Sequence, residues 1–251
     1  MLTLYQFEIS PFCDKVRRIL NVKRVPYKIE EVPPSKTLTV VRTRNPAGKL
    51  PFIVEDDQVV ADSTDIAHYL DHRYPRPRLI PTDPRERALC HVLEDWADES
   101  LYFYEMRLRF TLPHNAQRFI PELVKYEGNL MRRVAPLGLP RVLRRTLAAQ
   151  GLGRRPIAAV LRDVDRHVDA LSGLLGDRPF LLGESLTLAD ISVFAQLACI
   201  RASDEGGRLV ESRKNVVAWL ERVDAATQPQ AAEDTAADGA ASSAGAAGSA
   251  R

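Results

Sequence analysis

The sequence predicts two structural parts, an α/β domain at the N-terminal end and an all-α domain after it. In residues 1–76, short apolar runs with a two-residue period alternate with segments that have the 3.6-residue period of an amphipathic helix. Residues 77–84, which contain several prolines, mark a linker. In residues 85–226 only the helical period remains. These observations favour a small mixed sheet covered by helices, followed by an all-helical domain.

The first domain has the predicted order strand, helix, strand, helix, strand, strand, helix. In its first helix Val16, Ile19 and Leu20 fall on one face, and its last two strands flank a short acidic turn typical of a hairpin. The predicted strands lie at residues 2–7, 27–32, 52–54 and 58–61. The predicted helices lie at residues 11–23, 37–44 and 63–74.

The second domain is predicted to consist of helices alone. They lie at residues 85–110, 116–133, 157–175, 187–202 and 210–226. Thr187 and Asp190 form a capping box, with Leu186 and Ile191 as its hydrophobic staple, and we assign this motif a role in folding. Residues 227–251 contain mostly alanine, glycine, serine and acidic residues with no large apolar side chain, so we expect them to be disordered.

Composition narrows the class of protein. The hydrophobic fraction of 45% and the charged fraction of 27% are ordinary for a globular chain, and a net charge of +2 argues against a nucleic-acid binder. The cysteines, Cys13, Cys90 and Cys199, are three in number and widely spaced, which favours neither a disulfide framework nor a metal site. Since neither a membrane span nor a signal peptide is read from the pattern, we expect a cytoplasmic protein.

The residues that carry chemistry begin with Ser-Pro-Phe-Cys at positions 10–13, between the first strand and the first helix. A helix N-terminus presents free N–H groups and the positive end of the helix dipole, so a thiolate is stabilised there. That thiolate belongs either to Cys13 or to a small thiol bound beside the Ser10 hydroxyl. Ser10 also suits a plain capping role, and Cys13 suits a buried structural role.

Two further motifs precede regular elements. Gly48-Lys49-Leu50-Pro51 stands before the third strand, and Asp62-Ser63 stands before the third helix. Ser63 and the first-turn N–H groups of that helix suit a carboxylate, and Asp62 can accept a hydrogen bond from an ammonium group. The simpler interpretation is that Ser63 caps the helix. Lys49 is either a ligand for a second carboxylate or a solvated charge.

The order and spacing of these motifs resemble the glutathione S-transferase superfamily, with its thioredoxin-like N-terminal domain and helical C-terminal domain. The resemblance implies glutathione as co-substrate, a homodimer, and Ser10 as the residue that stabilises the thiolate. It also implies that Pro51 is cis and exposes the Leu50 backbone to the cysteinyl part of glutathione. Because Ser10 replaces the reactive cysteine of glutaredoxins, disulfide exchange through two cysteines is excluded.

A small hydrophobic electrophile would bind against the helical domain. Aromatic candidates for this wall are Tyr102, Phe103, Tyr104 and Phe110. Helical spacing does not allow all four to face the same way.

An arginine-rich stretch is unexpected for this family. Residues 128–162 contain no acidic residue, and we interpret residues 132–155 as an insertion interrupted by Pro136 and Pro140. It is either a solvated connection or a basic amphipathic segment that contacts an anionic membrane or an acidic partner. The second interpretation is similar to the metaxin-like branch and leads to an alternative function, that of a non-catalytic interaction module. Glutathione binding distinguishes this alternative from the enzyme.

Overall fold

A four-stranded mixed sheet forms the first part of the computed structural model, which describes residues 1–45 and 48–229. The strand order is β2-β1-β3-β4; β1 pairs with β2 in parallel and with β3 antiparallel, and β4 pairs antiparallel with β3. Its regular elements are β1 (Leu2–Gln6), α1 (Pro11–Val22), β2 (Tyr27–Glu31), β3 (Phe52–Glu55), β4 (Gln58–Ala61) and α3 (Ser63–Arg73). The predicted fold class is therefore confirmed.

Alternation along β1 and β3 gives the sheet its two packed faces. Leu4 of β1 and Ile53 of β3 are fully buried in the main core, together with side chains of α1 and α3. On the opposite face Phe52 stacks on Tyr5, with ring centroids 4.4 Å apart, and Val41 is buried beside it. This arrangement holds the N-terminus of α1 and the start of β3 at fixed positions.

The segment predicted as a helix at residues 37–44 is irregular. A 3₁₀ turn (Pro34–Lys36) and a π-helical turn (Thr37–Val41) precede the single turn α2 (Arg42–Arg44). The threonines and adjacent valines explain this difference, because β-branched side chains lose χ1 freedom in a helix.

In the second part of the structure the regular elements of the described residues are helices, and the loop before residue 188 holds one isolated β-bridge between Phe180 and Gly183. The helical elements of this part are α4 (Pro84–Trp96), a π-helical segment (Ala97–Leu101), α5 (Tyr102–Thr111), α6 (Pro113–Leu123), α7 (Asn129–Gln150), a 3₁₀ turn (Leu152–Arg154), α8 (Ile157–Leu175), α9 (Leu188–Arg201), α10 (Asp204–Glu211) and α11 (Lys214–Thr227). Helix α9 is buried on nearly all sides and lies at the centre of the main core, in contact with α1. No helix described here is both long and apolar enough to cross a membrane.

Three predicted features of the helical part differ from the structure. The helix at residues 116–133 is broken, since α6 ends at Leu123 and Gly128 caps a new helix. The helix at residues 210–226 begins at Lys214. The arginine-rich insertion lies mostly on α7, and this helix continues through Pro136 and Pro140. Because the two prolines are four residues apart, they remove backbone hydrogen bonds from one side of the helix only. Of the tail predicted to be disordered, residues 230–251 lie outside the described residues.

The capping box at the start of α9 is confirmed. Asp190 Oδ2 accepts from the Thr187 N–H at 2.9 Å and from the Thr187 hydroxyl at 2.7 Å. Its Oδ1 accepts from the Leu181 N–H at 2.8 Å and from Trp219 Nε1–H at 3.0 Å. The motif thus also joins α9 to α11 and to the loop before it.

Candidate functional site

A cavity of about 540 Å³ lies between the sheet and the helices α4 and α5. Six residues singled out in the sequence line it, although they are spread over fifty residues of chain: Ser10, Lys49, Leu50, Pro51, Asp62 and Ser63. They come from the ends of three elements, namely the start of α1, the loop before β3 and the start of α3. The fold therefore brings the separate motifs to one place.

Ser10 stands at the N-cap position of α1, with Pro11 as the first helical residue. Its backbone carbonyl accepts from the Asp14 N–H at 3.0 Å, but its side chain makes no capping hydrogen bond. The hydroxyl is therefore not used to cap the helix. Ser10 lines the cavity at the positive end of the α1 dipole, and its side chain is close enough to interact with the Cys13 sulfur.

Cys13 lies one turn further along α1 and does not line the cavity. Its side chain is fully buried, and its sulfur accepts from the Phe7 N–H at 3.3 Å. Burial raises the pKa of the Cys13 thiol to about 11, although the Phe7 N–H and the Ser10 hydroxyl act in the opposite direction. The alternative that Cys13 supplies the reactive thiol does not fit this position, because a neutral buried thiol is a poor nucleophile.

The peptide bond between Leu50 and Pro51 is cis. Pro51 is buried, whereas Leu50 is half-buried and neither its N–H nor its C=O has a hydrogen-bond partner in the described part of the chain. The Asn45 side-chain amide donates to the Lys49 carbonyl at 2.8 Å and so supports the loop. The Leu50 backbone can accordingly pair with an extended peptide. The Lys49 side chain is exposed.

Asp62 caps α3, and the alternative in which Ser63 does so is wrong. The φ angle of Asp62 is 77°, and its Oδ1 accepts from the Thr64 N–H at 2.8 Å. Ser63 is the first helical residue; it is buried, and its hydroxyl donates to Asp98 Oδ2 at 3.5 Å. Asp62 therefore caps the helix by accepting from the N–H two residues later, and the Ser63 hydroxyl is left to contact Asp98 in the helical part. Both side chains still border the cavity.

A buried charge cluster beneath the cavity was missed in the sequence. Lys15 of α1 is fully buried, and its Nζ donates to Glu94 Oε1 at 2.5 Å and to Asp98 Oδ2 at 2.7 Å. Burial raises the pKa of Asp98, while Lys15 acts to lower it. The available signal was the position of Lys15 four residues before the buried Ile19, on the apolar face of α1. The cluster joins α1 to α4 and to the π-helical segment that follows it.

The cavity wall is acidic and aromatic. Its carboxylates are Asp62, Glu94, Asp95, Asp98 and Glu99. Among the described lining residues Lys49 is the single cation, so the wall carries an excess of negative charge. The π-helical segment supplies two of these acids, in keeping with the frequent occurrence of such segments at functional sites.

Two of the four aromatic candidates lie on the cavity wall. Tyr102 packs at 4.9 Å from the Phe12 ring and at 5.2 Å from the Phe103 ring, and all three line the cavity. Tyr104 and Phe110 lie on other faces of α5 and do not line the cavity. The Tyr104 hydroxyl donates to Asp163, and Phe110 belongs to a small core cluster. The apolar part of the wall is therefore narrower than expected.

Comparison with known families identifies both parts of the chain. Residues 4–78 match the glutathione S-transferase N-terminal domain, and residues 154–222 match the glutathione S-transferase C-terminal domain. The first match contains all six lining residues discussed above, and the second contains the capping box of α9.

Whole-chain relatives agree with these matches. The isoprene-epoxide glutathione S-transferase of Rhodococcus sp. (strain AD45) is 27% identical over 238 residues, covering 89% of this chain and 98% of the relative. FtsZ-localized protein A of Caulobacter vibrioides is 28% identical over 207 residues, covering 79% and 76%. A solved glutathione S-transferase from Rhodospirillum rubrum F11 superposes with a TM-score of 0.64 at 26% identity, covering 89% of this chain and 88% of that one. The chain belongs to the glutathione S-transferase superfamily.

Proposed function

We propose that this protein is a glutathione transferase that joins the glutathione thiolate to a small hydrophobic electrophile. The observation that carries the proposal is the convergence of Ser10, the cis Leu50–Pro51 bond and the N-terminus of α3 in one cavity. We further propose that it acts in the cytoplasm as a homodimer, as is typical of the family.

Five of the lining residues have a role toward glutathione in this proposal. The Ser10 hydroxyl and the N-terminus of α1 stabilise the thiolate. The Leu50 backbone pairs with the cysteinyl residue. At the start of α3, the free N–H groups and Ser63 bind the γ-glutamyl carboxylate while Asp62 accepts from its ammonium group. Lys49 neutralises the glycyl carboxylate.

The reaction needs little more than positioning of the two reactants. An electron pair on the glutathione sulfur forms a bond to the electrophilic carbon, and the bond from that carbon to its leaving group breaks. In an epoxide the ring oxygen leaves the carbon but stays on the product, and it takes a proton from water. Epoxides are the first class to test, since the Rhodococcus relative is named for one.

The test is a calorimetric titration with glutathione, followed by ultraviolet absorbance of the bound thiolate and steady-state kinetics with an epoxide. Replacing Ser10 by alanine removes a hydrogen-bond donor to the thiolate, so we expect kcat/KM to fall about a hundred-fold and the thiolate absorbance to decrease at neutral pH. The matched control is Cys13→Ser, which should retain both signals.

Two results would contradict the proposal. Absence of glutathione binding in the wild-type protein would favour the alternative of a non-catalytic interaction module. A thiolate signal that survives Ser10→Ala and disappears in Cys13→Ser would transfer the central role to Cys13.

A further inference from the structure

Helix α7 presents apolar side chains to solvent on the side opposite its packed face. Leu139 and Leu143 pack against the small cluster of Phe110, Ala116 and Ile120, which attaches the helix to α5 and α6. The outer face of α7 is defined here as its solvent-exposed large apolar residues, which are between 41% and 76% exposed: Leu130, Met131, Val134, Leu137 and Val142. Because α7 is apolar on two sides and only one of them packs against the protein, its exposed apolar side is a candidate interaction surface.

The apolar side chains of the outer face form a continuous stripe. Leu130, Val134 and Leu137 have the spacing i, i+4, i+7, which places them above one another along the helix. Met131 and Val142, eleven residues apart, lie on the adjacent row. With 22 residues α7 is about 33 Å long, so the stripe is an extended ridge with no groove of its own.

Positive charge surrounds this ridge. Five arginines lie on the same helix: Arg132, Arg133, Arg141, Arg144 and Arg145. Within the described residues none of the five pairs with a carboxylate, and the sequence has no acidic residue between positions 128 and 162. Arg155, just beyond α7, differs in that it pairs with Asp163. The surface is thus both apolar and strongly basic.

We propose that the outer face of α7 docks on an anionic lipid bilayer, with the helix lying in the plane of the interface. Lipid conforms to a convex ridge, whereas a protein partner would need a groove that receives all five apolar side chains. The long arginine side chains can reach back to the phosphate groups while the apolar residues enter the acyl region. The placement is peripheral, since no helix described here is long and apolar enough to span the bilayer.

Two other occupants fit less well. A second copy of this chain, docked through the same face, would bring arginines against arginines. Residues 230–251 are acidic in part, but they contain no large apolar side chain that could cover Leu130 or Leu137. Charge and shape together therefore favour lipid.

The experiment is vesicle flotation of the full chain. Vesicles of phosphatidylcholine alone are compared with an equal mixture of phosphatidylcholine and phosphatidylglycerol. We expect binding to the mixture only, weakened by salt. The triple variant Leu130→Ser/Val134→Ser/Leu137→Ser should lower the partition coefficient by at least about ten-fold. The double variant Arg141→Gln/Arg145→Gln should lower it about 25-fold, or about five-fold for each arginine. Its charge-matched control, Arg85→Gln/Arg87→Gln on exposed positions of α4, should bind like the wild type.

Penetration of the outer face of α7 into the bilayer is tested separately, in a variant that keeps this face apolar. The fluorescence of the new tryptophan in Val134→Trp should be quenched by lipids brominated on their acyl chains. The native Trp219 is buried in the core and Trp96 packs against that core, so neither belongs to the outer face. Three results would overturn the proposal: no binding to the anionic vesicles, no quenching of the new tryptophan, or equal binding by the serine variant. The last result, together with binding to a polyglutamate peptide, would identify an acidic protein surface as the partner.

Discussion

Glu105 is a buried carboxylate whose charge state depends on the folded environment. It is 1% exposed, and its Oε2 accepts from Arg109 Nη1 at 3.1 Å. Burial raises the pKa of Glu105 from 4.5 to about 7, against the lowering effect of Arg109. The folded protein therefore holds a proton on Glu105 at pH values where the unfolded chain has lost it.

We predict that Glu105 makes the protein less stable as the pH rises. A raised pKa in the folded state contributes stability that is fully present below pH 4.5 and is lost as the pH rises through about 7. Between these two pH values, the contribution of the Glu105 carboxyl to the free energy of unfolding should decrease by about 3 kcal/mol. The measurement is urea denaturation between pH 4.5 and pH 8.

Glu105→Gln should flatten this pH dependence, and the exposed Glu221→Gln should leave it unchanged. An identical slope in the wild type and in Glu105→Gln would contradict the assignment.

At the scale of elements, the periodicity of the sequence predicts the bounds of helices and strands well where the apolar spacing and the turn residues indicate the same element. The first helix and the hairpin of β3 and β4 lie within one or two residues of their predicted bounds, since apolar spacing and turn residues agree there. The prolines of α7 predict interruptions of the helix, because nothing in the local sequence shows that packing by Leu139 and Leu143 compensates for two lost hydrogen bonds.

In the candidate site, too, features set by neighbouring residues are predictable from the sequence, and features set by long-range contacts are not. Ser10, Leu50–Pro51 and Asp62 were recognisable because they stand at element ends, where their neighbours in sequence set the local geometry. The contacts of Lys15 with Glu94 and Asp98 span 79 and 83 residues of chain. Such contacts arise only from tertiary packing, so the cluster beneath the cavity could not be derived from the motifs.

The capping box of α9 provides a prediction at this scale. Asp190→Ala would leave the Leu181 N–H and Trp219 Nε1–H without their acceptor inside the core, so we expect a loss of about 3 kcal/mol or more in the free energy of unfolding. Asp190→Asn keeps one acceptor oxygen and should lose less. The exposed Asp177→Ala should remain within about 0.5 kcal/mol of the wild type. Equal stability of all three variants in urea denaturation would show that the box is dispensable.

Across the whole molecule, the small net charge conceals a strong separation of charge. The formal charge is +2, yet the cavity wall is acidic and α7 is basic. Opposite fields at two surfaces select different partners. If the proposed reaction takes place, the acidic wall should disfavour electrophiles that carry a negative charge.

We predict that kcat/KM for an anionic epoxide is about ten-fold below that for a neutral epoxide of similar size. Asp95→Asn/Glu99→Gln removes two exposed charges of the wall, so this ratio should shrink, as it should with added salt. A control with the same change in net charge, Asp177→Asn/Glu221→Gln, should keep the ratio. Equal rates for both epoxides in the wild type would contradict the role of the wall.

The ion cluster of Lys15, Glu94 and Asp98 also bears on how such chains can be recombined. Lys15 belongs to the sheet part and both carboxylates belong to the helical part, so the cluster is complete only when both halves come from the same chain or from matched chains. A chimera that takes its first half from a relative without this lysine would bury two carboxylates with no counter-ion, at a cost of several kcal/mol. The two halves are therefore not interchangeable modules: they must be exchanged with these three residues kept as a set.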